Sequence, residues 1–232
     1  MLKGETGAIQ VVDFERKGDI DIYGLTIVED SNSVSVKPAA KKHGNYGMEL
    51  KWSGSSAINH IYQNIGEQSE VYFRMYIKIL SDFVIAKDEF IEICSLNTDN
   101  TGLGDALITA LLYQGNYSIG LLFLNGSWDS DSSPDSDTFY ELDRDVWYML
   151  EIRFKKDYPG GSQFWLDNEL MYSDLGKSPT DSIYYVVVGN VNGTDVPNAD
   201  SIIYVDDIVV NDEKVGPYAV NQSGNKMIFL ED

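Results

Sequence analysis

The chain has 232 residues, 17 basic against 37 acidic side chains and a formal charge of −20. A field of that sign repels phosphate backbones, which excludes nucleic acid as a partner, and no apolar run is long enough to insert into a membrane as a helix. A single cysteine, Cys94, rules out an internal disulfide, and the length suits one large all-β unit able to bury a core without staples.

The opening residues, Met1-Leu2-Lys3-Gly4-Glu5-Thr6-Gly7, lack the apolar stretch of a signal peptide. Beyond them apolar and polar residues alternate, and the helical period is nearly absent. The alternation predicts strands over residues 9–15, 23–28, 33–37, 47–52, 70–80 and 89–96. It continues over 106–113, 117–125, 146–155, 162–166, 183–191 and 202–210. Clusters of Gly, Asn, Asp and Ser, such as Gln114-Gly115-Asn116 and Pro159-Gly160-Gly161, separate them as turns.

The cleanest pattern is in 70–79. Val71, Phe73, Met75, Ile77 and Ile79 share one face, and Glu70, Tyr72, Arg74, Tyr76 and Lys78 the other. Its apparent partner, 147–154, sets Tyr148, Leu150, Ile152 and Phe154 against Trp147, Met149, Glu151 and Arg153. Two antiparallel sheets packed face to face would bury the first set of each and leave the mixed set outside. The Ser- and Asp-rich run 127–137 reads as a surface loop. The last long strand, Ile202-Ile203-Tyr204-Val205-Asp206-Asp207-Ile208-Val209-Val210, carries two adjacent carboxylates, one of which must point inward. A buried carboxylate needs a partner, so Asp206 and Asp207 are candidates either for a cation or for bonds to turn amides and a basic neighbour.

Phe14-Glu15, Gly44-Asn45-Tyr46-Gly47, the strand at 71–76, Trp147-Tyr148-Met149-Leu150-Glu151-Ile152, Phe164-Trp165-Leu166-Asp167-Asn168 and the closing Tyr204-Val205-Asp206-Asp207 form one layout. It resembles the concanavalin A-like lectin/glucanase superfamily over residues 8–216. The resemblance implies an all-β, two-sheet antiparallel β-sandwich of the jelly-roll type; the tail at 217–232, with one more possible strand at 226–230, is expected to form an arm packed on the domain or on a neighbouring subunit. It also implies a structural Ca²⁺ held by Glu15 and Asp206, with carbonyls of residues 44–47 filling an oxygen shell of six to eight ligands.

For catalysis the residues offer less. The glucanases of the superfamily carry Glu-x-Asp-x-x-Glu strands, and the nearest matches, around Glu92 and Glu151, lack the full spacing. His60, close to Tyr62, could form an acid–base pair or be a satisfied structural residue; the other histidine, His43, lies in a turn. No phosphate loop, dinucleotide fingerprint, zinc cluster or nucleophile elbow is present. Exposed aromatics are the remaining signal, with Tyr72, Tyr76, Tyr113, Trp128 and Trp147 as candidate sugar-stacking residues, and Tyr117 and Trp165 beside them. The expectation is a non-catalytic, lectin-like carbohydrate-binding sandwich whose partner is a glycan or polysaccharide. Display on a virion or cell surface, among other subunits, is expected with it. The alternatives are a structural decoration or fibre-associated protein of a bacteriophage virion, and a glycan-cleaving hydrolase or lyase.

Overall fold

The computed structural model describes residues 8–12, 14, 25–29, 34–52, 59–98, 106–115, 118–125, 139–177, 179–190, 197, 200–220 and 226–228. Two antiparallel sheets make up the sandwich. The first has eight strands. Seven run in the order β13 (Glu169–Lys177), β12 (Gly160–Leu166), β11 (Trp147–Lys155), β6 (Glu70–Ile79), β15 (Ile202–Asn211), β4 (Gly47–Lys51) and β3 (Val34–Lys37). The eighth, β1 (Ala8–Val12), also pairs with β15.

The second sheet has seven strands. Their order is β10 (Phe139–Glu141), β9 (Ile119–Asn125), β8 (Ala106–Gln114), β7 (Phe90–Asn97), β14 (Ile183–Asn190), β5 (Asn59–Gln68) and β2 (Thr26–Glu29). A separate hairpin joins β16 (Tyr218–Val220) to β17 (Lys226–Ile228), within the segment expected to form an arm.

The alternation read from the sequence sets the layers. On β6 the Val71, Phe73, Met75, Ile77 and Ile79 side chains are all buried in the core, and on β11 Leu150, Ile152 and Phe154 join them. The second sheet contributes Ile61, Ile91, Leu96, Ile108, Leu112, Leu121, Val186 and Val188. Phe123 stacks on Phe164 across the interface with ring centroids 5.2 Å apart. Fully burying such side chains is worth roughly 1.5–3 kcal/mol each, which is why the period-two pattern fixes register so firmly. Cys94 is a free thiol in this core.

The two ends of the chain meet, as the resemblance implies: Val12 lies opposite Ile208 on β15. The same edge of β15 pairs with β4 through Ile202–Val205 and with β1 through 208–211. Asp206 and Asp207 fill the gap where one neighbour gives way to the other. Against β6 the register also slips between Asp206 and Val209, and Asp207 takes a left-handed φ of 52°. The doubled carboxylates therefore mark a bulge, where an extra residue bends the strand and leaves ladder groups unpaired.

Candidate functional site

At this bulge both carboxylates are buried and answered by protein donors. Asp206 Oδ2 accepts the main-chain N–H groups of Lys42 (2.7 Å) and His43 (3.0 Å), and its Oδ1 accepts that of Asp207 (2.8 Å). His43 Nδ1 lies 2.5 Å from Asp207 Oδ2. The pair thus meets the need of buried carboxylates through turn amides and a basic neighbour, one of the two alternatives expected of it. Glu15, the remaining member of the expected set, lies outside the described residues, and among these no cluster of three or more His, Cys, Asp or Glu side chains could hold a metal. If the amides and His43 alone answer the two carboxylates, the melting temperature is expected to stay within about 1 °C when EDTA or millimolar Ca²⁺ is added. A calcium-dependent rise of several degrees would restore the ion.

The outer face of the eight-stranded sheet is a closed lattice. Arg74 and Glu151 are cross-strand partners on β6 and β11, and both are fully buried. Arg74 donates to the carbonyls of Gly216 (3.1 Å) and Asp207 (3.3 Å). Glu151 accepts the N–H groups of Val215 (2.7 Å) and Gly216 (3.2 Å). Burial pushes the Glu151 carboxyl up, while those two amides and then Arg74 and Lys214 pull it back. Glu151, one of the two acids noted above, thus ties residues 214–216 to the sheet.

Tyr76 is only 6 % exposed, edge-on to His43 (5.2 Å) and beneath Lys42 and Arg74. Trp147 packs half-buried against the Tyr76, Met149, Val209 and Val215 cluster. Tyr72 stacks on Trp165 at 6.4 Å, with Arg153 over its ring and Lys214 over that of Trp165.

The outer face of the seven-stranded sheet is different in kind. Alternation with core residues puts His60, Tyr62, Glu92, Ser95, Asn97, Thr109, Tyr113 and Tyr185 there. Most such residues would face water, yet His60, Glu92, Ser95, Asn97 and Thr109 are all no more than 3 % exposed. The aromatic rings cluster at two places. Tyr62 meets Tyr185 edge-on at 5.8 Å and lies 6.4 Å from His60, while Tyr113 meets Phe139 edge-on at 5.9 Å. The Tyr113 hydroxyl donates to Asp88 (3.1 Å).

Asn190, at the end of β14, links the two titratable groups. Its Oδ1 accepts the N–H of Glu92 (3.2 Å), and its carbonyl lies 3.3 Å from His60 Nδ1. With Nδ1 donating to that carbonyl, His60 Nε2 is the bare nitrogen, buried and without a hydrogen-bond partner among the described residues. Burial lowers the imidazole pKa, against the opposing pull of the Asn190 bond. Glu92 Oε1 is likewise buried and unpartnered among the described residues. Burial drives the Glu92 carboxyl up to about 7, tempered by the Ser95 hydroxyl. Burial thus disfavours the charged form of both groups, raising the acid and lowering the base.

Next to Asn190 on β14 is Gly189, opposite His60, with φ of 111°. A Cβ there would lie 2.2 Å from the Asn59 carbonyl and 3.0 Å from the His60 Cβ, so only glycine fits. Past the other end of this face a polar cavity of about 310 Å³ is lined by Glu67, Thr98, Lys156, Ser182 and Tyr184 among others. In it Lys156 donates to the Ser182 hydroxyl (3.0 Å), which donates to Glu67 (3.0 Å).

The sugar-stacking candidates therefore divide between the two sheets. Tyr72, Tyr76 and Trp147 lie on the first and Tyr113 on the second, while Trp128 and Tyr117 lie outside the described residues. Tyr185, Asn190 and Gly189 were not singled out by sequence; only the Asn59-His60-Ile61-Tyr62 motif pointed toward them.

No protein-family model and no curated protein matches the chain. Solved structures do. "Cellulose induced protein, Cip1" is 14% identical with a TM-score of 0.62, covering 89% of this chain and 99% of that one. Alginate lyase Aly36B is 11% identical with a TM-score of 0.63, over 87% and 96%. The carbohydrate esterase vb_24B_21 from Shiga toxin-encoding bacteriophage phi24B is 14% identical with a TM-score of 0.61, over 88% and 97%. At these identities the likeness establishes the shared β-sandwich fold alone.

Proposed function

We propose that the chain binds a glycan along the outer face of the seven-stranded sheet. The observation that carries this reading is the polar, aromatic-flanked floor of that face. Its Glu92 and His60 are buried with hydrogen-bonding atoms still unanswered among the described residues. Sugars match such a floor because their C–H faces stack on rings such as Tyr62 and Tyr185, and their hydroxyls both donate and accept. Lyases and an esterase named for carbohydrate chemistry share the fold, which supports a glycan as the ligand. On this reading the chain is a member of the concanavalin A-like superfamily. Display on a virion or surface assembly extends the reading, and the phage origin of one structural neighbour supports it.

A second reading, cleavage of the bound glycan, is favoured by one observation of its own: a carboxyl that burial raises to about 7 and a buried imidazole are tied to the same residue, Asn190. Binding is tested by affinity electrophoresis or calorimetry on a panel of polysaccharides. Tyr62→Ala and Tyr185→Ala are each expected to weaken binding about tenfold or more, the loss seen for buried aromatic anchors. Tyr72→Ala and Trp147→Ala are expected to leave it unchanged. The opposite pattern, or no binding to any glycan, removes the proposal.

A further inference from the structure

We infer that the polar cavity at the end of the sandwich is a second ligand site, separate from the outer face, and that it takes a single uncharged sugar ring. The cavity forms where the two sheets meet at one end of the molecule. Thr98 directly follows β7, Ser182 and Tyr184 flank the first residue of β14, and Glu67 is near the end of β5, all in the seven-stranded sheet. Lys156 directly follows β11 of the other sheet, and Thr180 and Asp181 belong to the segment that leads from β13 to β14. Leu96 and Ile183 are still core residues, but every described residue around the cavity carries a polar group. Main-chain bonds brace this end: the Lys156 N–H donates to the Ser69 carbonyl (2.7 Å) and that of Asp157 to the Pro179 carbonyl (3.1 Å).

The polar groups are ordered before any ligand arrives. Ser182 is buried, and its hydroxyl both accepts from Lys156 Nζ (3.0 Å) and donates to Glu67 Oε1 (3.0 Å). The Tyr184 hydroxyl donates to the same carboxylate. One buried hydroxyl therefore fixes an ammonium from one sheet against a carboxylate from the other, the kind of preorganisation that lowers the cost of binding. An ammonium has three donors and a carboxylate about four acceptor sites, so about two donors on Lys156 and about two acceptor sites on Glu67 are left over among the described residues. Water reaches this wall. Glu67, Thr180 and Asp181 are exposed, and Thr98, Lys156 and Tyr184 are partly so.

Size and charge then narrow the ligand. Small-molecule pockets run from about 300 to 1,000 Å³, and this cavity, at about 310 Å³, is at the lower end. It suits one sugar ring and not a run of them. An apolar ligand would strip water from the polar wall and return no hydrogen bonds. An anion would meet the carboxylates of Glu67 and Asp181 within a chain of charge −20. A cation would find Glu67 already answered by Lys156 through Ser182, leaving only Asp181, which is exposed and screened by salt. Sugar hydroxyls both donate and accept, so neighbouring ones can donate to Glu67 while another accepts from Lys156.

The test is NMR of the backbone amides of the full chain. Glucose, galactose, mannose and xylose are added one at a time, then glucuronate and glucosamine as charged counterparts. The signals of residues 67, 156 and 180–184 are expected to move and saturate with at least one neutral sugar, with a Kd of roughly millimolar order. Glu67→Gln and Lys156→Met are each expected to weaken that binding about tenfold or more, the loss of a charge-assisted hydrogen bond. Both side chains are at least partly exposed, so both variants are expected to fold, which unchanged signals elsewhere in the spectrum check. Tyr62→Ala is expected to leave the binding unchanged.

If none of the four neutral sugars gives a saturable shift, the cavity holds water only and the inference is overturned. So it is if binding survives both substitutions, or if a charged ring binds more tightly than its neutral counterpart. Shifts abolished by Tyr62→Ala would belong to the outer face and would also remove the cavity site. Each of these failures leaves the outer-face glycan standing, because polysaccharide binding is scored separately through Tyr62 and Tyr185.

Discussion

Arg74→Met is expected to cost about 3–5 kcal/mol of stability, the range for leaving one member of a buried ion pair without its partner. Arg74 is fully buried, holds two main-chain carbonyls from different segments and lies over the Tyr76 ring. Methionine fills a similar volume, so the loss is electrostatic and not a cavity. Glu151 would remain buried with the Val215 and Gly216 amides and the more weakly acting Lys214 to answer it. The Gly216 and Asp207 carbonyls would each lose a donor. Urea denaturation measures the loss, and limited proteolysis should show new cleavage near Lys214 as residues 214–216 come away. Arg74→Met with Glu151→Leu should recover part of the stability, because it removes both charges together. A single-variant loss below about 1 kcal/mol would mean that the lattice does not tie that segment down.

Glu92→Gln is expected to stabilise the protein above neutral pH and to change nothing in acid. The native carboxyl keeps its proton up to about pH 7, whereas in the unfolded chain it ionises near its usual 4.5. Between those values the folded state binds more protons, so stability falls as pH rises, by about 3 kcal/mol across the window at 1.36 kcal/mol per pH unit. Below 4.5 both states are protonated, above 7 both are charged, and the slope vanishes. Glutamine removes the whole effect, so the variant should match wild type at pH 4 and exceed it by up to about 3 kcal/mol at pH 8. His60 acts in the other direction. Its folded pKa is lowered, so stability is lost as pH falls below the unfolded value of 6.5. A variant-minus-wild-type difference that is flat from pH 4 to 8 would show that Glu92 is not held protonated. A group that weakens the fold at working pH is what a functional site tolerates and a structural one does not.

The sandwich was legible because its core strands alternate cleanly. The faces of β6 and β11 follow the sequence residue by residue, and the meeting of β1 with β15 follows from the first and last motifs. The strand missed from the sequence is instructive. In β5, Asn59-His60-Ile61-Tyr62-Gln63-Asn64 carries polar residues on both faces, so nothing in its pattern says strand. It is also the strand that bears His60. Short β10 and the polar β13 escaped for the same reason. Alternation also says whether a ring faces outward but not from which sheet, which is why the aromatic candidates fell on two surfaces. The twin aspartates could be recognised as needing partners, but the choice between cation and amide depended on a change of neighbour along β15 that no local pattern encodes.

The chain has two histidines, and each reports on a different part of the molecule: His60 on the outer face of the seven-stranded sheet and His43 beside Asp207 on the other sheet. The most direct test is NMR of the two imidazoles while an uncharged oligosaccharide is titrated in. The account predicts that the His60 signals move with saturation while those of His43 stay in place. Movement of His43 alone, or of neither ring while the oligosaccharide is demonstrably bound, would contradict it.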